Sequence, residues 1–122
     1  MILGVGVDIL HISRIAAVVR RGAADRFARR ILDEREIEQF QRIKGEDEQT
    51  RYLATRWGVK EATYKAAYPL HTLRWHDICV FKRGPKLHMT IRWPSTLSSI
   101  SSHLSISHDH NLLVSYVILE QL

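Results

Sequence analysis

A chain of 122 residues with 45% hydrophobic and 25% charged content reads as one compact domain able to bury roughly two thirds of its unfolded surface. No apolar run approaches the roughly 18 residues of a membrane-spanning helix, and a single cysteine excludes both an internal disulfide framework and a Cys-x-x-Cys zinc site. The formal charge of +5 points to an anionic partner.

In chain order, Ile2 to Ile9 alternates small and branched residues as a buried strand does, with Gly4 and Gly6 allowing close backbone approach and Asp8 at its end. Met1 opens this run without the charged segment of a secretion signal, so no secretion is expected. Ser13 is placed to cap a short helix carrying Ile15, Ala16, Val18 and Val19, with Gly22 to stop it. A second helical segment is expected from Ala24 to Leu32. Asp33 and Glu36 form the D-x-x-E pattern of a capping box, opening a helix through Ile37 and Phe40 toward Lys44, with Gly45 as its terminator.

Glu46, Asp47 and Glu48 favour the start of a further helix, which should run to about Tyr68 and end at Pro69. Ile78 to Lys82 and Leu87 to Arg92 read as a hairpin turning at Arg83, Gly84 and Pro85. Leu97 and Ile100, spaced i,i+3 after Pro94, suggest a short helix. His103 to Ser107 and Leu112 to Leu119 read as a central hairpin turning at Asp109 to Asn111. One strand, several helices and then mostly strands make an α+β domain spanning residues 1–122.

Charge is concentrated early: Arg14, Arg20, Arg21, Arg26, Arg29 and Arg30 are opposed only by Asp25. A solvated basic helix would look the same, but such density also speeds encounter with acidic partners. In Thr55 to Ala66, TRWGVKEATYKA, Glu61 and Lys65 are i,i+4 neighbours, with Trp57 one turn before Glu61 and Arg56 one turn before Lys60. An isolated KExxxK is usually an ordinary solvated pair. Likewise, Asp8 alone is more often a turn cap, and His108 alone a structural histidine. The other histidines show no zinc-binding spacing.

GVGVDILHISRI, RFARRILDEREIEQF, WGVKEATYKA, RWHDICVF and LSISHD, in this order, resemble the holo-acyl-carrier-protein synthase group of 4′-phosphopantetheinyl transferases. The resemblance spans nearly the whole chain and implies that group's single-domain fold, with antiparallel strands on a long central helix. It also implies its reaction in fatty acid biosynthesis: passage of the phosphopantetheine arm of coenzyme A to a serine of apo acyl carrier protein, releasing adenosine 3′,5′-bisphosphate. On that model Asp8 and Glu61 hold Mg²⁺ and Lys65 stabilises or protonates the leaving phosphate. Lys60 and His108, with Arg56, bind the phosphates of coenzyme A. Either Glu61 or a water held with Asp8 takes the serine proton. Arg14 stands where the group grips the acidic carrier, and Arg20, Arg21 and Arg26 extend that grip.

Two departures are visible. KAAYPLHT replaces the usual glycine-containing loop after the catalytic helix, and Asp33 replaces a threonine. Short members of the group form trimers with the site at a subunit boundary, so a homotrimer is expected. No nucleic acid or membrane partner is expected. An RNA-binding module would need more exposed strand aromatics than Phe81 and Tyr116, and a non-catalytic carrier-binding subunit sits poorly with intact Asp8, Glu61 and Lys65. YKAAYPLHTLRWHDI looks closer to fungal mitochondrial members, which makes a mitochondrial location the expectation and the bacterial cytoplasm the alternative.

Overall fold

The computed structural model describes all 122 residues. Its helices are α1 (Ile12–Arg20), α2 (Ala24–Ile31), α3 (Glu34–Gln41) and α4 (Glu46–Ala67), followed by a 3-10 turn at Trp75–Asp77. Its strands are β1 (Ile2–His11), β2 (Ile78–Arg83), β3 (Lys86–Ile91), β4 (Ile100–Asp109) and β5 (Leu112–Gln121). Three form an antiparallel sheet in the order β1-β5-β4, and β2 pairs with β3 as a separate hairpin. No helix is long and apolar enough to cross a membrane.

The helix α4 is the axis of the fold. It buries residues around most of its circumference, including Leu53, Ala54, Gly58, Val59, Ala62 and Ala66, because other elements cover it on several sides. Its first half joins a core with Leu10, Ile15, Val19, Ile31, Leu32 and Phe40, and its second half joins another with Ile78, Val80, Val117 and Leu119. Each fully buried Leu or Ile contributes about 2 kcal/mol relative to exposure. One helix therefore spans both cores and cannot shift without disturbing each.

Several boundaries differ from the sequence reading for local reasons. His11, not Ser13, precedes α1; Ser13 instead receives the Asn111 side chain, with Ser13 N donating to Asn111 Oδ1 at 2.8 Å. The Asp33–Glu36 capping box forms as expected, each side chain accepting the other's backbone N–H at 2.9 Å. Gly45 does not terminate α3, which ends at Gln41; it has extended φ and ψ and precedes α4. No helix forms after Pro94. Leu97 N makes one turn bond to Pro94 O, Ser99 adopts φ 57°, and Ser98 and Ser99 carbonyls accept from Gln121. The β2–β3 turn is Gly84-Pro85, where Gly84 supplies the φ of +63° that a tight two-residue turn needs. Within the final hairpin, β5 is central and β4 is an edge.

Candidate active site

Two glycines bring the first strand onto the central helix. A Cβ on Gly6 would lie 1.8 Å from Ala62 O, and one on Gly4 the same distance from Ala66 O, so backbone rests on backbone. Strand alternation keeps the even residues of β1 on that face, and Asp8, next after Gly6, turns its carboxylate toward α4. Lys65 Nζ closes the gap, donating to Val7 O at 3.0 Å and to Asp8 Oδ1 at 3.3 Å. Glu61, one turn before Lys65, is half-buried. Burial raises its pKa, the Asp8 charge raises it further, and Lys65 opposes both. Asp8, Glu61 and Lys65 therefore act on one another electrostatically although Asp8 is more than fifty residues away in the chain.

A hard divalent cation fits these groups. Asp8 Oδ2 is buried with no hydrogen-bond partner in the protein, and a second carboxylate faces it closely enough for their charges to couple. No third His, Cys, Asp or Glu joins them. Two carboxylates without nitrogen or sulfur donors suit Mg²⁺, which leaves its remaining positions to waters and phosphate oxygens.

Three other predicted ligands lie elsewhere. The phosphate contact expected of Lys60 is corrected by its surroundings: it is 1% exposed, and its ammonium donates to Ile31 O and Glu36 Oε1 at 2.6 Å and to Trp75 O at 3.1 Å. All three protons are used, so none is left for a phosphate. Arg56 Cζ sits over the Tyr52 ring, 3.8 Å from its centroid, and the guanidinium donates to Thr55 Oγ1, a packed position rather than an extended one. His108 is exposed on β4, opposite Leu113 of β5. Because β5 separates β4 from β1, two strand spacings of roughly 4.8 Å divide their backbones, and one chain does not bring His108 onto Asp8. Arg14, Arg20, Arg21 and Arg26 are all exposed on or beside α1 and α2, and none forms an ion pair.

The structure adds two features that the sequence reading did not assign. A cavity of about 330 Å³ opens beside Lys60 and Glu61, walled further by Tyr64, Leu73, Arg74, Trp75 and Ile78. Tyr64, i+3 from Glu61, was recoverable from helical spacing; the rest come from beyond Pro69. Glu36, 1% exposed, joins three elements, α3, α4 and β2: besides Lys60 and its own capping box, its Oε2 accepts from Val80 N at 2.9 Å.

Comparison with known proteins places this geometry. Residues 4–118 match the model of the 4′-phosphopantetheinyl transferase superfamily. The chain is 34% identical over 122 residues to a holo-[acyl-carrier-protein] synthase of Mycoplasmoides gallisepticum, covering all of both chains. It is 38% identical over 130 residues to one of Leptothrix cholodnii, covering 98% of this chain and 97% of that one. The crystal structure of a holo-(acyl-carrier-protein) synthase from Bacillus anthracis in complex with CoA (3′,5′-ADP) superposes with a TM-score of 0.80 at 31% identity, over 100% of this chain and 99% of that one. By its sequence and its fold, this chain belongs to the 4′-phosphopantetheinyl transferase superfamily.

Proposed function

We propose that this protein is a holo-acyl-carrier-protein synthase, transferring the 4′-phosphopantetheine arm of coenzyme A to a serine of apo acyl carrier protein and releasing adenosine 3′,5′-bisphosphate. The observation that carries this reading is the convergence of Asp8, Glu61 and Lys65, with Asp8 Oδ2 buried and unpartnered, in a chain similar over its whole length to holo-acyl-carrier-protein synthases. Mg²⁺ held by Asp8 and Glu61 would neutralise charge on the pyrophosphate oxygens.

The residues divide the remaining work. Phosphoryl transfer leaves a protein mainly to position groups and to meet developing charge. Lys65, half-exposed and anchored by Val7 O, presents its ammonium where the leaving phosphate gains charge. Asp8 is buried and engaged by Lys65, whereas Glu61 is more open, and either Glu61 or a water held with Asp8 takes the serine proton. The apolar cavity beside Glu61 is matched to the largely neutral pantetheine arm. Arg14 and its neighbours supply the cationic surface that an acidic carrier needs.

A homotrimer completes the site in this reading. The outer face of the sheet exposes Val5, Val7, Ile9 and Tyr116, an apolar surface on the side away from α4. In the trimer that the resemblance implies, the edge-strand His108 of one chain would work with Asp8 and Glu61 of the next. A mitochondrial location is likewise a proposal, supported by the segment after α4 and tested by import into isolated mitochondria.

Glu61→Gln tests the metal assignment. The substitution keeps the side-chain shape and removes its charge, so the fold survives while Mg²⁺-dependent transfer falls by about two orders of magnitude or more. A folded variant that retains most of its activity at ordinary Mg²⁺ concentrations shows that Glu61 is not a ligand.

A further inference from the structure

Two open depressions adjoin on the far side of the cavity wall, sharing His76 and Arg92; Arg29 borders one, and Arg30 and Arg74 border the other. The acids nearby are largely engaged: Asp33 pairs with Arg35 at 3.3 Å, and Asp77 with Arg74 at 3.5 Å, leaving Glu34 as the one unpaired carboxylate. Arg29, Arg30 and Arg92 are exposed and form no ion pair. A helix C-terminus accounts for Arg29 and Arg30 in the last turn of α2. It does not account for His76 and Arg92, which come from other segments and are fixed by backbone bonds. His76 Nε2 lies 3.0 Å from Arg29 O, and Arg92 N donates to Asp77 O at 2.7 Å. The result is a basic shelf whose backbone at Arg92 and imidazole at His76 are held in place.

Its position relates it to the transfer reaction. Arg26, Arg29 and Arg30 are spaced i, i+3, i+4, so they form one ridge along α2, and the family resemblance assigns Arg26 to carrier docking. At the other end, Arg74 lines both the shelf and the cavity beside Glu61. We propose that Arg29, Arg30 and Arg92 form a second docking surface for the acidic carrier protein, continuing the α1 arginines past the mouth of the cavity. This rests on the carrier-transferase reading. A carrier with its serine at Glu61 would lay acidic surface on both sides of that mouth.

Steady-state transfer by the full chain, comparing wild type with Arg29→Glu/Arg92→Glu, tests it. The KM for carrier should rise about ten-fold or more at low ionic strength, the difference shrinking as salt is added, with kcat and the KM for coenzyme A within about two-fold of wild type. Coenzyme A is itself a polyanion, so its unchanged KM separates a docking contact from a general loss of positive field. An unchanged carrier KM overturns the proposal, and so does a matching rise in the KM for coenzyme A, which would assign these cations to nucleotide phosphates. If the double reversal fails to fold by circular dichroism, Arg29→Gln/Arg92→Gln must show a smaller rise of the same kind. Absence of transfer by wild type in the same assay would defeat the functional reading itself, whereas transfer with an unshifted carrier KM defeats only the docking surface.

Discussion

Glu61 is held in a conflict that a bound cation would relieve. Its folded pKa is raised, first by burial and then by Asp8, so the folded chain binds this proton more tightly than the unfolded chain does. The corresponding stability is present below the unfolded pKa and is lost as pH rises through the raised folded value. At neutral pH without metal, ionised Glu61 therefore costs stability, and Glu61→Gln should melt at or above the wild-type temperature in EDTA; a clearly lower Tm would show that the charge is satisfied in the free protein. By the same sign, the acid limb of the kcat/KM profile should lie above the ordinary glutamate range and move to lower pH as Mg²⁺ is raised. Cys79 shows burial acting on a nucleophile: its thiol is pushed up to about 12 by burial first, with Glu36 and Asp33 adding to the effect. Disulfide-exchange labelling should be slow in the native protein at neutral pH and fast in denaturant. Asp8, Glu61 and Lys65 are legible only through the family resemblance, since residue type and spacing alone leave a turn cap and a solvated i,i+4 pair. The fate of Lys60 is not legible at all, because consecutive helical residues diverge by about 100° and only the fold supplies Glu36, Ile31 and Trp75 as its partners.

Elements are held in register by two devices, and each predicts a distinct failure. Gly6→Ala would drive a methyl group into the Ala62 carbonyl, and neither backbone can yield without moving a core element. A loss of about 3 kcal/mol or more, seen as a fall in Tm of about 10 °C or more, is expected; a near-wild-type Tm would mean that β1 and α4 are not in this contact. Glu36→Gln leaves the Lys60 charge buried without its counter-charge, at a cost of about 3–5 kcal/mol. The double change Glu36→Met/Lys60→Met should recover part of the loss, since it removes the unpaired charge but leaves Val80 N, Ile31 O and Trp75 O without these partners. Equal damage from the single and double variants in denaturant titrations would contradict the ion-pair account. The capping box that places Glu36 is legible from Asp33 and Glu36 alone, since both its bonds are local. The bond from Val80 N is not, because it depends on where β2 packs. The helix expected after Pro94 fails for a similar reason: i,i+3 spacing shows which residues could share a face, but the C-terminal strand captures the Ser98 and Ser99 carbonyls.

Across the whole molecule, the distance between His108 and Asp8 within one chain and the exposed apolar face of the sheet favour a shared site. Light scattering should give three times the chain mass, and Val7→Glu with Tyr116→Glu should give monomers with little activity. Mixing inactive Asp8→Asn and His108→Ala chains should restore part of the activity, since some boundaries then combine an intact Asp8 with an intact His108; no restoration after subunit exchange would place the site within a single chain. The transfer reaction itself is tested most directly by intact-mass spectrometry of an apo acyl carrier protein incubated with the purified protein, Mg²⁺ and coenzyme A. Without a docked serine no hydroxyl lies in line with the β-phosphorus, so bisphosphate release should require the carrier. The carrier should gain the mass of one phosphopantetheine arm, and a carrier whose acceptor serine is alanine should gain none. Carriers from bacterial and mitochondrial sources that all stay unmodified, in the presence of well-folded protein, would contradict the account.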